Sequence, residues 1–123
     1  MSGKNCVGDT NIFMYFINGA EAISKYKNIH FYISEITEIE LLGKEGITQE
    51  EYSLRSEMIN TCTILTLTER IKNITIKLKQ KYNIKIPDAI IAATAIHLNL
   101  PLITADKGFK KIQELDLQLL ELK

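Results

Sequence analysis

The sequence predicts an α/β fold, a short and largely parallel sheet with helices on both faces, and three features carry that expectation. Short apolar runs alternate with amphipathic segments along the chain, the pattern of strands feeding crossover helices. Capping residues follow the strand candidates directly, as in Gly8-Asp9-Thr10-Asn11 and Ile33-Ser34-Glu35. Residues 89–98 are apolar nearly all round, as expected of a helix buried against a sheet.

Taken in order, residues 6–8 form the first strand, and Asp9, Thr10 and Asn11 open a helix carrying Ile12, Phe13, Tyr15 and Phe16. A second short helix covers residues 20–26. Residues 31–33 make the next strand, after which Ser34 caps a helix with Ile36, Ile39 and Leu42 inward, stopping at Gly43. Thr48 and Glu51 have capping-box spacing and open a helix through Met58, which gives way to a β-branched strand at 61–67. Thr68 caps a long helix with Ile71, Ile74, Leu78 and Tyr82 on one face, although Ile74-Thr75-Ile76 has strand propensity. Pro87 suits the first turn of the buried helix, and Asn99 ends it. A buried strand at 100–104, a short helix from Gly108 and Phe109, and a strand at 115–122 complete the chain.

A chain of 123 residues is long enough for one core and too short for two substantial ones, so residues 1–123 are expected to be a single domain. Fifteen Lys plus Arg balance fifteen Asp plus Glu, which excludes gripping nucleic acid by bulk positive charge and leaves local contacts to hold any phosphate. No apolar run approaches a membrane span, and the first five residues, Met1 to Asn5, lack a signal-peptide pattern. With Cys6 and Cys62 expected as free thiols, a cytoplasmic protein without membrane contact is the expectation.

In open parallel sheets ligands collect beyond the carboxyl ends of the strands, and acids stand at those positions here. Asp9 follows the first strand, Asp106 follows the 100–104 strand, Asp88 opens the buried helix, and Glu40 lies in the helix after 31–33. Singly, each has a plain structural role: Asp9 as a cap, Asp88 as a helix-dipole partner, Asp106 as a turn residue, Glu40 as a solvated face. Together they repel, by about 4 kcal/mol for a pair ~4 Å apart at an effective dielectric of ~20. Hard divalent cations offset that repulsion, and Mg²⁺ takes oxygen ligands, which suits four acids with no neighbouring His or Cys. Such ions serve in-line displacement at phosphodiesters.

Four strings make the chain resemble the PIN domain family, and within it the small VapC-like toxins of toxin-antitoxin pairs. They are Gly8-Asp9-Thr10-Asn11-Ile12-Phe13, Ser34-Glu35-Ile36-Thr37-Glu38-Ile39-Glu40-Leu41, Pro87-Asp88-Ala89-Ile90-Ile91-Ala92-Ala93-Thr94-Ala95 and Leu102-Ile103-Thr104-Ala105-Asp106-Lys107-Gly108-Phe109. The resemblance implies a three-layer α/β/α sandwich and a Mg²⁺- or Mn²⁺-dependent endoribonuclease. It also implies a homodimer silenced by a small antitoxin protein that covers the acidic site. It carries the catalytic and metal-ligating roles onto Asp9, Glu40, Asp88 and Asp106, and supporting roles onto Thr10, Asn11 and Thr104. Gly8 and the short polar start depart from the long apolar first strand common in the family.

Lys107, Lys110 and Lys111, beside Asp106, have two readings, a solvated face or a group that helps hold RNA phosphates near the metal. His30 and His97 lie apart from the acids and read as structural. A phosphate-accepting Asp domain, receiver-like or phosphatase-like, is the alternative enzyme class. It fits less well, because a receiver wants adjacent acids and a phosphatase of that type wants an acid where Asn11 stands. The alternative outside catalysis is a PIN fold kept as a binding or scaffold module.

Overall fold

The computed structural model describes residues 4–121. Strand β1 (Asn5–Gly8) leads into helix α1 (Thr10–Ile17) and a 3₁₀ helix, Glu21–Tyr26; strand β2 (His30–Ser34) is followed by helices α2 (Glu35–Leu42) and α3 (Gln49–Asn60). Strand β3 (Thr63–Leu65) then precedes helices α4 (Glu69–Lys81) and α5 (Ile86–Leu98), strand β4 (Leu102–Thr104), a second 3₁₀ helix, Lys107–Lys111, and strand β5 (Leu117–Leu119). The sheet order is β3-β2-β1-β4-β5, and every pairing is parallel.

Alternation along the strands divides the core into two layers. Val7 and Leu102 face one way and pack with Ile71, Leu78, Ile91 and Phe109, while Cys6, Phe31, Ile33 and Ile103 face the other and pack with Ile12, Phe13, Leu41 and Ile59. Helices α4 and α5 therefore cover one face, α1 and α3 the other, which is the α/β/α arrangement expected.

Local chemistry sets the element ends. The capping box at Thr48 and Glu51 forms as its spacing predicts, and Thr68 accepts from the Ile71 amide to start α4. Thr75 returns its hydroxyl to Ile71 O at 2.8 Å, so the β-branched triplet remains helical with its polar group satisfied. Pro87 lies in the first turn of α5, and Asn99 closes that helix at φ 57°, a left-handed position that Asn tolerates.

Several expectations are corrected. The short helix expected at 20–26 forms as a 3₁₀ helix over Glu21–Tyr26, with Ala20 at its N-cap. The strands expected at 61–67, 100–104 and 115–122 contract to three residues each, since pairing spans only Thr63–Leu65, Leu102–Thr104 and Leu117–Leu119; the expectation at Leu122 lies outside the described residues, as do those for residues 1–3. Helix α2 buries Thr37 and Leu41 most deeply, the i, i+4 face directed inward, and packs Ile36 and Leu42 half-buried beside them, whereas Ile39 of the expected apolar line is 62% exposed. No helix among the described residues is long and apolar enough to cross a membrane.

Candidate metal and active site

The chain winds outward from β1 to β2 and β3, then returns through α4 and α5 to place β4 on the other side of β1. The crevice between the carboxyl ends of β1 and β4 is thus the switch point of the sheet, where ligands bind in folds of this kind. Asp9 and Asp106 emerge there.

Asp9 is buried at 6% exposure and caps α1: its Oδ1 accepts from the Thr10 amide at 2.7 Å. Its Oδ2 accepts from the Thr104 hydroxyl at 2.7 Å and from the Asn11 side-chain Nδ2 at 3.2 Å. A carboxylate offers about four acceptor positions, so three protein donors leave one for a further partner. Burial pushes the Asp9 carboxyl above its ordinary range, with smaller contributions from Asp88 and Glu40, while Thr104 and the Thr10 amide pull it down. Gly8 precedes it for a packing reason. A Cβ there would stand 2.8 Å from Phe13 Cε2 and Cζ and 3.0 Å from Phe31 Cδ1.

Thr104, wholly buried, joins two acids: its hydroxyl oxygen also accepts from the Asp106 amide at 3.0 Å. Asn11 adds a second tie by accepting from the Ala105 amide at 3.3 Å. Asp106 is exposed, and its Oδ1 accepts from the Gly108 amide at 2.8 Å, so the turn role expected of it is real and leaves Oδ2 free of bonds among the described residues.

Glu40 reaches the same end from α2. It is exposed, and the Thr10 hydroxyl donates to its Oε1. Thr37, one turn earlier and fully buried, sets its hydroxyl 3.2 Å from that of Thr10. Arg55 of α3, also buried, donates to Leu41 O at 2.7 Å and anchors the end of the helix that carries Glu40. Sequence reasoning missed both residues. The i, i+3 relation of Thr37 to Glu40 was a usable signal for one, but nothing in the spacing marks Arg55.

Asp88 is half-buried in the first turn of α5 and accepts no hydrogen bond and no ion pair among the described residues. Burial raises its carboxyl, the charges of Asp106 and Glu40 raise it further, and Lys85 opposes them. Burial exceeds mutual repulsion at both Asp9 and Asp88, which reverses the ranking that the charge cluster alone implies. Asp88 and Asp106 face a cleft of about 340 Å³ whose rim includes Lys85 and Lys111.

The four acids thus share one end of the sheet, where Asp88 and Glu40 act electrostatically on Asp9, and Asp106 and Glu40 on Asp88. No group of three His, Cys, Asp or Glu among the described residues stands close enough together to hold an ion. Lys107 is exposed beside Asp106, whereas Lys111 donates to Asn83 O at 2.6 Å. The histidines lie elsewhere: His30 pairs with Thr63 at 2.8 Å, and His97 is in the last turn of α5.

A parallel sheet in this order, with acids gathered at its switch point, defines a small α/β domain of one kind. The PIN domain profile matches residues 6–115, and the chain belongs to the PIN domain family. Solved structures similar to it include a toxin-antitoxin complex from Klebsiella pneumoniae, 28% identical with a TM-score of 0.80, covering 96% of this chain and 99% of that one. VapBC-1 from nontypeable Haemophilus influenzae is also 28% identical, with a TM-score of 0.78 and coverage of 94% and 97%. VapBC2 from Rickettsia felis, bound to a DNA fragment from its promoter, is 25% identical, with a TM-score of 0.79 and coverage of 95% and 99%. No curated protein matches the chain.

Proposed function

We propose that this PIN domain is a divalent-metal-dependent endoribonuclease and the toxin of a toxin-antitoxin pair. The observation that carries the reading is Asp88, a half-buried carboxylate with no protein donor among the described residues, beside Asp106 and Glu40 at the sheet's switch point. Such a group is costly unless a cation joins it. The donor set is oxygen only, which suits Mg²⁺ or Mn²⁺, and Asp9, Glu40, Asp88 and Asp106 would hold the ion. When bound, the ion supplies Lewis-acid stabilisation of the phosphodiester and an activated water.

The chain's own residues do the positioning. Thr104 and Asn11 fix Asp9 and, through the backbone at 105 and 106, the turn carrying Asp106. Thr10 holds Glu40 in place. Lys107 and Lys110 are placed to hold RNA phosphates flanking the scissile bond. The similar complexes support an antitoxin as partner, and the homodimer that the family resemblance implies is part of the same proposal.

Incubating the protein with total RNA and Mg²⁺ or Mn²⁺, with EDTA as control, and mapping the new ends tests the reading. Discrete metal-dependent ends are expected. Intact RNA under all conditions, with no growth arrest on expression of the chain alone, would overturn it.

A further inference from the structure

The cleft between Asp88 and Asp106 has two walls that no strand pairing joins directly. One is residues 83–88, the link from α4 and the first turn of α5, and the other is residues 106–111, Asp106 and the second 3₁₀ helix that it caps. Side chains just outside the cleft bind the walls together. The Tyr82 hydroxyl donates to Glu114 Oε1 at 2.7 Å and accepts from the Gln113 amide at 3.2 Å. Lys81 donates to Glu114 Oε2 at 2.7 Å, and Lys111 donates back across to Asn83 O at 2.6 Å. Lys79 fixes the first wall from below by donating to Ile84 O at 2.7 Å.

An isolated surface ion pair contributes about 0–1 kcal/mol, too little to explain this arrangement as a stability device. Its geometry serves another end. Both oxygens of Glu114 are engaged by consecutive residues, 81 and 82, at the point where α4 ends and the first wall begins. The Lys81 ammonium and Tyr82 hydroxyl together hold the Glu114 carboxyl down to about 2, which favours its ionised, accepting form.

We propose that Tyr82 and Glu114 are positioning residues that clasp the two walls of the cleft and set the separation of Asp88 from Asp106 for the cation. The inference rests on the nuclease reading above and adds to it residues that touch neither metal nor RNA. Releasing the clasp lets the wall carrying Asp106 move relative to α5, and a pair of ligands held at the wrong separation binds an ion less well. Loss of a partner one shell from a metal ligand typically costs about 10–100-fold in affinity; at this further remove about 3–10-fold is expected.

The test is calorimetric titration of Mn²⁺ into the full chain and its variants. Tyr82→Phe and Glu114→Ala are each expected to raise the Kd for Mn²⁺ by about 3–10-fold. The double variant should lose no more than the larger single loss, because both residues serve one contact. Glu114→Gln keeps an acceptor for the Tyr82 hydroxyl and should restore most of the affinity. In cleavage assays the same variants should shift the half-saturating Mn²⁺ concentration and recover the parent rate at saturation, a split that a general loss of folded protein does not produce. Asp88→Asn distinguishes the two levels of inference. If it abolishes Mn²⁺ binding while Tyr82→Phe and Glu114→Ala bind as the parent does, the clasp is refuted and the metal site stands. If Asp88→Asn binds Mn²⁺ as the parent does, or the parent binds none, the metal site falls and the clasp with it.

Discussion

Thr104→Val removes one hydroxyl from a fully buried position and keeps the shape of the side chain. That hydroxyl donates to Asp9 Oδ2 at 2.7 Å and accepts from the Asp106 amide at 3.0 Å. A hydrogen bond to a charged group contributes about 1.5–3 kcal/mol, and the partly buried Asp106 amide adds up to about 1 when left unpaired. The methyl group introduced offsets about 0.8 kcal/mol. A net loss of about 1–3 kcal/mol at neutral pH follows, and for a chain of this length, with an unfolding entropy of about 2.1 cal/mol/K per residue, the midpoint falls by about 4–12 °C. The pH dependence gives a second check. Thr104 stabilises the ionised form of Asp9 against burial, so once Asp9 is protonated only a neutral hydrogen bond of about 0.5–1.5 kcal/mol remains to be lost. Urea denaturation in EDTA at pH 7 and pH 4 measures both penalties. A penalty below about 0.5 kcal/mol at pH 7, or an equal one at both pH values, would refute the role assigned to Thr104.

Gly8→Ala puts a methyl group against the Phe13 and Phe31 rings and should destabilise by about 1–3 kcal/mol, as overpacking does; an unchanged urea midpoint would show that the rings yield freely. In EDTA, stability should fall as pH rises from the unfolded carboxyl value of about 3.9 through the raised values of Asp9 and Asp88, because the folded state then holds more protons than the unfolded one. Asp88→Asn removes one of those groups, so its melting temperature should decline less between pH 4 and 6, and slopes matching the parent's would contradict the burial assigned to Asp88. Lys107→Ala with Lys110→Ala should weaken RNA binding and lower the slope of log K against log salt by up to about 2; an unchanged slope would return both lysines to a solvated role.

The parallel α/β/α class was legible because alternation and capping are local signals, and both survive in the folded chain at Asp9, Ser34, Thr48 and Thr68. Strand lengths were not, because a strand's extent depends on a neighbour's hydrogen bonds: Leu100 and Pro101 carry strand-like context yet β4 begins only at Leu102. The positions of the acids at strand ends could be read from spacing. Their partners could not, since Thr104 and Asp9 are 95 residues apart and meet only through the β1–β4 pairing. The inward face of α2 was misread for a related reason. Its four apolar residues do not fall on one stripe, and the face that packs is chosen by Thr37, a polar residue whose burial depends on Thr10 from another helix. The roles of Arg55, Tyr82 and Glu114 likewise exist only between segments distant in sequence.

The most direct test of the acidic site as a metal-dependent nuclease centre is the RNA cleavage rate of Asp88→Asn against the parent at saturating Mn²⁺. Asp88 is the right residue because, unlike Asp9 and Asp106, it caps no turn and accepts no hydrogen bond among the described residues, so its replacement at equal size leaves the scaffold intact. A rate lower by at least about 100-fold is predicted, with a melting temperature in EDTA at or above the parent's. Cleavage within a few-fold of the parent, or a parent equally active in EDTA, would contradict it.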